Sequence, residues 1–205
     1  MARTADGGER AFVALKIEVA ELGLSAIDAL DVDALAVLVG PERPLQGLAG
    51  FADWRLCGAI SRAIRSQLFD AEPGEALLLP SGGRIAPTRV FCFGLAQIPL
   101  APEAFLSAVR TACEALARAG SESFATAMPP IAGGDAALAA RLWLEASLVR
   151  PVRRQILLGE ARVLQRELAA ARAALAVEVE VLAPPSRVEM PPRARALPHV
   201  GGVVR

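Results

Sequence analysis

Tyrosine and asparagine are absent from this 205-residue chain, and lysine and histidine occur once each, as Lys16 and His199. His and Lys carry much of general acid–base chemistry, so the shortage argues against catalysis built on either. No histidine stands in the body of the chain to activate Ser61, Ser81, Ser121 or a cysteine, which removes the usual nucleophile–base pair. Cys57, Cys92 and Cys113 form no CxxC pair and have no histidine near them, so no metal site is expected. They lie in apolar segments and are expected as buried, reduced thiols. No apolar run approaches the roughly 20 residues of a membrane span. The first ten residues include Asp6 and Glu9 and do not resemble a secretion signal. Together these absences predict a cytoplasmic protein with no membrane partner. Twenty-two basic and twenty-two acidic residues cancel, which argues against a nucleic-acid partner.

What is present is apolar residues, 54% of the chain, in short runs broken by Gly and Pro. Val13, Leu15, Ile17 and Val19 alternate with smaller or polar residues, which predicts a strand over 12–20. Ala34 to Val39 is a continuous apolar run, as in a strand buried on both faces. Leu77 to Leu79 has the same look, and Leu78→Asp is expected to unfold the domain. Arg89 to Leu95, Ser123 to Met128, Gln155 to Leu158 and Val177 to Leu182 are further strands, the last at an edge because Val and Glu alternate in it.

Asp53 is placed to cap a helix running to Leu68, with Leu56, Ile60, Ile64 and Leu68 as its inner stripe. Pro102 opens a second helix that Gly120 ends, burying Phe105, Val109, Ala112 and Leu116. A third follows Asp135 with Leu138 and Leu142 inward, and a fourth spans 160–176. Strand and helix alternate, which predicts a three-layer α/β/α domain with a mostly parallel, mixed sheet over 12–183. Residues 1–11 are expected to be a flexible lead. Residues 184–205 hold five prolines and four arginines and are expected to be a disordered tail of net positive charge.

The stretch from Ile60 to Leu95 carries a resemblance. A helix with Arg65 near its end leads to Phe69, then to Pro73-Gly74-Glu75-Ala76-Leu77-Leu78-Leu79, a polar connection, and a strand Val90 to Gly94. This order resembles the N-terminal domain of leucine aminopeptidases, the cytosol aminopeptidase family, over about residues 12–128. The helix Pro102 to Ala119, the strand Ala34 to Val39 and the Pro44–Gly50 loop fit the same pattern. The resemblance implies a macro-domain-like fold. It also implies that peptide hydrolysis belongs to a separate metal-binding domain with a signature Asn-Thr-Asp-Ala-Glu-Gly-Arg. Asp70-Ala71-Glu72 matches only the middle of that signature, and Pro73 follows it, so these 205 residues are expected to lack that domain.

Two loops carry the candidate binding residues. Gly40, Gly47 and Gly50 lie between a strand and a helix, as do Gly133, Gly134 and Asp135. In a parallel sheet such loops gather at the carboxyl ends of strands, where ligands bind, and a helix start suits an anion. The resemblance to macro domains implies an ADP-ribose-type ligand there, although Asp135 would repel a phosphate or serve as a plain N-cap. Asp31 and Asp33 suit a surface turn. Arg150, Arg153 and Arg154 suit a solvated loop or a contact with an acidic partner. Trp54 and Trp143 are expected as core or interface anchors. No cofactor is expected. Three functions remain open: a non-catalytic module acting on a protein partner or on itself, a binder of a small anionic nucleotide, and one subunit of a split aminopeptidase.

Overall fold

The structure is a computed structural model that describes residues 15–182. The expected N-terminal lead and the Pro/Arg-rich tail, with His199, lie outside the described residues. The strands are β1 (Leu15–Glu21), β2 (Ala34–Val39), β3 (Ala76–Pro80), β4 (Arg89–Gly94), β5 (Ser123–Thr126), β6 (Arg154–Gly159) and β7 (Val179–Leu182). The helices are α1 (Leu24–Asp28), α2 (Gly47–Arg55), α3 (Ala59–Arg65), α4 (Pro102–Arg118), α5 (Ala136–Ser147) and α6 (Ala161–Leu175). The seven strands form one sheet in the order β3-β4-β2-β5-β6-β1-β7. Every pairing is parallel except β3 with β4.

Alternate side chains of the interior strands feed two separate cores. Ala34, Ala36, Phe91, Phe93, Phe124 and Leu157 pack under α4, α5 and α6. Leu35, Val37, Val39, Val90, Cys92 and Leu158 pack under α1, α2 and α3. This is why β2 reads as an unbroken apolar run: both of its faces are covered. α4 follows its expected pattern, with Pro102 in its first turn and Phe105, Val109, Ala112 and Leu116 buried. β7 lies at a sheet edge, as its Val/Glu alternation predicts.

Four expectations need correction. Leu77–Leu79 is not a central strand: β3 is the other edge of the sheet, and Leu78 is 53% exposed. The helix expected from Asp53 to Leu68 is two helices, broken where Cys57 and Gly58 take positive φ of 53° and 79°. Leu68 falls beyond the second helix and is 66% exposed, while Leu56 and Ile60 remain buried. Asp53 is a cap, but a non-local one. It sits in the last turn of α2, and its carboxylate accepts from the Ser61 amide (3.0 Å) and hydroxyl (2.5 Å) at the start of α3. Cys57 is exposed because it occupies that break; Cys92 and Cys113 are buried. Burial pushes the Cys92 thiol up to about 12 and the Cys113 thiol to about 11, which keeps both unreactive.

The fourth correction concerns Arg154. Arg150 and Arg153 are exposed, but Arg154 is half-buried on the sheet and donates twice to the Glu18 carboxylate, at 2.7 and 3.1 Å. Trp143 anchors the core through its indole N–H, which donates to the buried Gln155 side chain at 2.9 Å. Trp54 is exposed and stacks beside the Arg55 guanidinium.

Candidate functional site

A cleft of about 390 Å³ opens at the carboxyl ends of the middle strands. Leu22 lies beyond β1, Leu38 near the end of β2, Leu95 just after β4, and Met128 just after β5. The start of α2, from Gly47 to Ala49, closes one side. Ile98 and Pro129–Pro130 close the others. This is where ligands settle in open α/β sheets, because diverging crossover helices leave a crevice there. The polar groups in the lining are Glu42 and Gln46, and no basic side chain lines it among the described residues.

The β2–α2 loop is held by its own side chains. Arg43 donates to the carbonyls of Gly40 and Glu42, both at 2.8 Å, and Gln46 donates to the Pro44 carbonyl at 3.1 Å. A Cβ at Gly40 would overlap the Ile98 side chain and the Glu42 carboxylate. A larger residue at position 40 would therefore push the Ile98 and Glu42 side chains off the end of β2. α2 begins without a side-chain cap, and its first turn lines the cleft.

The six candidate residues do not converge on one point. Gly47 lines the cleft and Gly40 lies beneath Ile98. Gly50 packs on the Leu45 carbonyl and borders a shallower depression with Trp54 and Cys57. Gly133 and Gly134 form an exposed turn beyond Pro130, and the Asp135 carboxylate accepts from the Leu138 amide at 3.0 Å as the N-cap of α5. Leu22, Leu38, Ile98 and Met128 escaped sequence reasoning, since each reads locally as ordinary core.

Two carboxylates, Asp33, expected only in a surface turn, and Glu18 of β1, are structural pins. Asp33 accepts from the amides of Glu122 (2.8 Å) and Ser123 (3.0 Å), tying the start of β2 to the start of β5. Partial burial works against its charge, but those amides outweigh it and hold the carboxyl below its ordinary value. The Arg154 guanidinium lowers Glu18 in the same way, against opposing burial and with help from Lys16. Asp31 is exposed. Among the described residues no group of three or more His, Cys, Asp or Glu could hold a metal, and no helix is long and apolar enough to cross a membrane.

A smaller cavity of about 240 Å³ lies between α4 and the turn that leads into β3. Here the Pro-Gly turn finds its reason. The Glu75 carboxylate accepts from the amides of Asp70 and Glu72, curling the segment that precedes β3. That segment runs so close to β4 that a Cβ at Gly94 would overlap the backbone of Ala71 and Glu72.

The sheet order, the helices on both faces and the crevice at the strand ends define a macrodomain-like α/β/α protein. Solved structures agree. An Oceanobacillus iheyensis macrodomain in a mutant form solved with ADPR matches with a TM-score of 0.58 and 15% identity, over 78% of this chain and 92% of that one. The macrodomain of Mycobacterium tuberculosis DarG gives 0.54 and 14%, over 70% and 97%. A mutant form of tomato leucine aminopeptidase gives 0.55 and 16%, over 79% of this chain and 36% of that one. The chain therefore spans about a third of that aminopeptidase. The model of the cytosol aminopeptidase family, N-terminal domain, matches residues 36–148, more than half of the chain. This chain belongs to that family, as its N-terminal domain. No curated protein matches its sequence.

Proposed function

We propose that the domain is a non-catalytic interaction module whose cleft accepts an apolar side chain of a partner polypeptide. The composition of the cleft carries this reading. Leu22, Leu38, Leu48, Leu95, Ile98 and Met128 supply its walls, and a carboxylate and an amide supply its polarity. Such a site gains by covering apolar surface and by receiving a hydrogen-bond donor, such as a backbone amide, at Glu42. A metal ligand set, which peptide hydrolysis in the family's manner requires, is not brought together by the described residues. Addition of Zn²⁺ or Mn²⁺ to the purified chain should therefore produce no leucine-amide hydrolysis.

A nucleotide of the ADP-ribose type is the second reading. The uncapped start of α2 opening into the cleft favours it, since free amides suit a phosphate. Glu42 in the lining and Ile98 over Gly40 oppose it. NMR titration separates the two. Apolar peptides should shift Leu48, Ile98 and Met128, and ADP-ribose should leave them unmoved. Saturable shifts with ADP-ribose would install the second reading, and silence toward every apolar peptide would remove the first.

A further inference from the structure

We infer that the exposed edge of β3 pairs antiparallel with β3 of a second copy of this chain, about a two-fold axis at Leu78. The inference concerns the sheet edge and does not rest on the cleft. Three observations carry it. The first is the lack of protection. Sheet edges are commonly blunted by charged side chains. β7, at the opposite edge, has Glu180 within it and Glu178 just before it, whereas Ala76–Pro80 has no charge and its one blunting residue, Pro80, stands at the strand's end. At its centre stands Leu78, 53% exposed.

The second is the pattern of available backbone groups. Gly94 donates to the Glu75 carbonyl and Ser81 to the Thr88 carbonyl, so the odd-numbered residues of this strand face β4. Ala76, Leu78 and Pro80 therefore direct their backbone groups outward, where no strand pairs with them among the described residues. A two-fold axis at Leu78 places Leu78 opposite Leu78, and Ala76 opposite Pro80. Four hydrogen bonds form: the Leu78 amide to the Leu78 carbonyl in each direction, and each Ala76 amide to the other copy's Pro80 carbonyl. Proline at position 80 has no amide to give, so the Ala76 carbonyl of each copy goes without a partner and the pairing rests on these four bonds.

The third is charge. The segment before β3 carries Asp70, Glu72 and Glu75, the loop after it carries Arg84, and Arg89 opens β4 opposite Pro80. Antiparallel pairing lays the acidic end of each copy beside the basic end of the other. A parallel arrangement would set like charges together.

The test uses the full chain. Sedimentation velocity over a concentration series should show a dimer that dissociates as salt rises. Hydrogen exchange should show the Ala76 and Leu78 amides gaining protection as concentration increases. Leu78→Arg should yield a monomer whose melting temperature, read at a concentration where both proteins are monomeric, lies within about 4 °C of the parent's. Ala76→Pro removes an outward amide without adding charge and should weaken the dimer at least tenfold. Arg84→Glu should weaken it, and adding Glu72→Arg in the same chain should restore it. A chain that stays monomeric at every concentration overturns the proposal. So does a dimer indifferent to Leu78→Arg and Ala76→Pro, or one that forms while the β3 amides stay unprotected.

Discussion

Two runs of the chain look alike on paper and differ in the fold. Ala-Leu-Ala-Val-Leu-Val is β2, and Ala-Leu-Leu-Leu-Pro is β3. β2 lies between β4 and β5 with helices on both faces, and five of its six side chains are buried. β3 lies at an edge, and none of its five side chains is. Apolar composition alone does not place a strand in a sheet. The neighbours decide, and here they decide through one reversal of direction: β3 runs antiparallel to β4 and closes the sheet.

Substitution of an ionised group into each run is the sharpest contrast. Val37 is fully buried in the apolar core under α1, α2 and α3. Val37→Asp should leave the domain unfolded at 25 °C. An unpaired buried carboxylate costs several kcal/mol, against a total stability of about 5–15 kcal/mol. Loss of the cooperative thermal transition is the expected result. A retained transition near the parent's would mean that β2 is not central.

Next in size is the junction of the two regions. Gly94 ends β4 where the segment before β3 crosses it, with no room for a Cβ. Gly94→Ala should cost about 2–3 kcal/mol as the Ala71–Glu72 backbone is pushed away. Urea denaturation should show a lowered midpoint, and exchange of the β3 amides should quicken more than that of β2. An unchanged midpoint would mean that the Pro-Gly turn does not rest on β4.

A smaller effect comes from the two carboxylate pins, which hold the centre and leave β3 untouched. Glu18 and Asp33 both titrate below their ordinary values of 4.5 and 3.8 in the folded chain. A lowered folded value means that the stabilisation is complete above the unfolded value and is lost as pH falls through the folded one. The melting temperature should therefore decline as pH drops below about 4.5. Arg154→Met should remove the Glu18 share of that slope, and Asp33→Asn the remainder. A melting temperature flat from pH 5 to 3 would show that neither pin matters.

These contrasts also show what the chain discloses locally. α4 was legible from Phe105, Val109, Ala112 and Leu116 because helical periodicity is a property of neighbours in sequence. β2, β4 and the edge position of β7 were legible for the same reason. The cleft was not, because Leu22, Leu38, Ile98 and Met128 come from four segments that meet only through the strand order β4-β2-β5-β6-β1. Asp53 shows the middle case. Its capping chemistry was visible, but the helix it caps starts beyond a break that only a positive φ at Cys57, a residue that rarely adopts one, could reveal.

The smallest expected effect is the most informative about β3. Leu78→Asp looks drastic from sequence, since the run resembles a buried strand. In the structure the Leu78 side chain lies on the face of an edge strand with half its surface in water, and its outward backbone groups hold no other strand. An aspartate there keeps its hydration and takes no bond from β4. What is lost is strand propensity and partial cover over Phe91, its cross-strand partner, on the order of 1 kcal/mol. For a domain of this size that corresponds to about 2–4 °C in melting temperature. The measurement belongs at low protein concentration, where pairing between copies adds nothing to stability. A fall of more than about 10 °C, several times what an edge substitution should cause, would place β3 inside the sheet and return the two runs to equality.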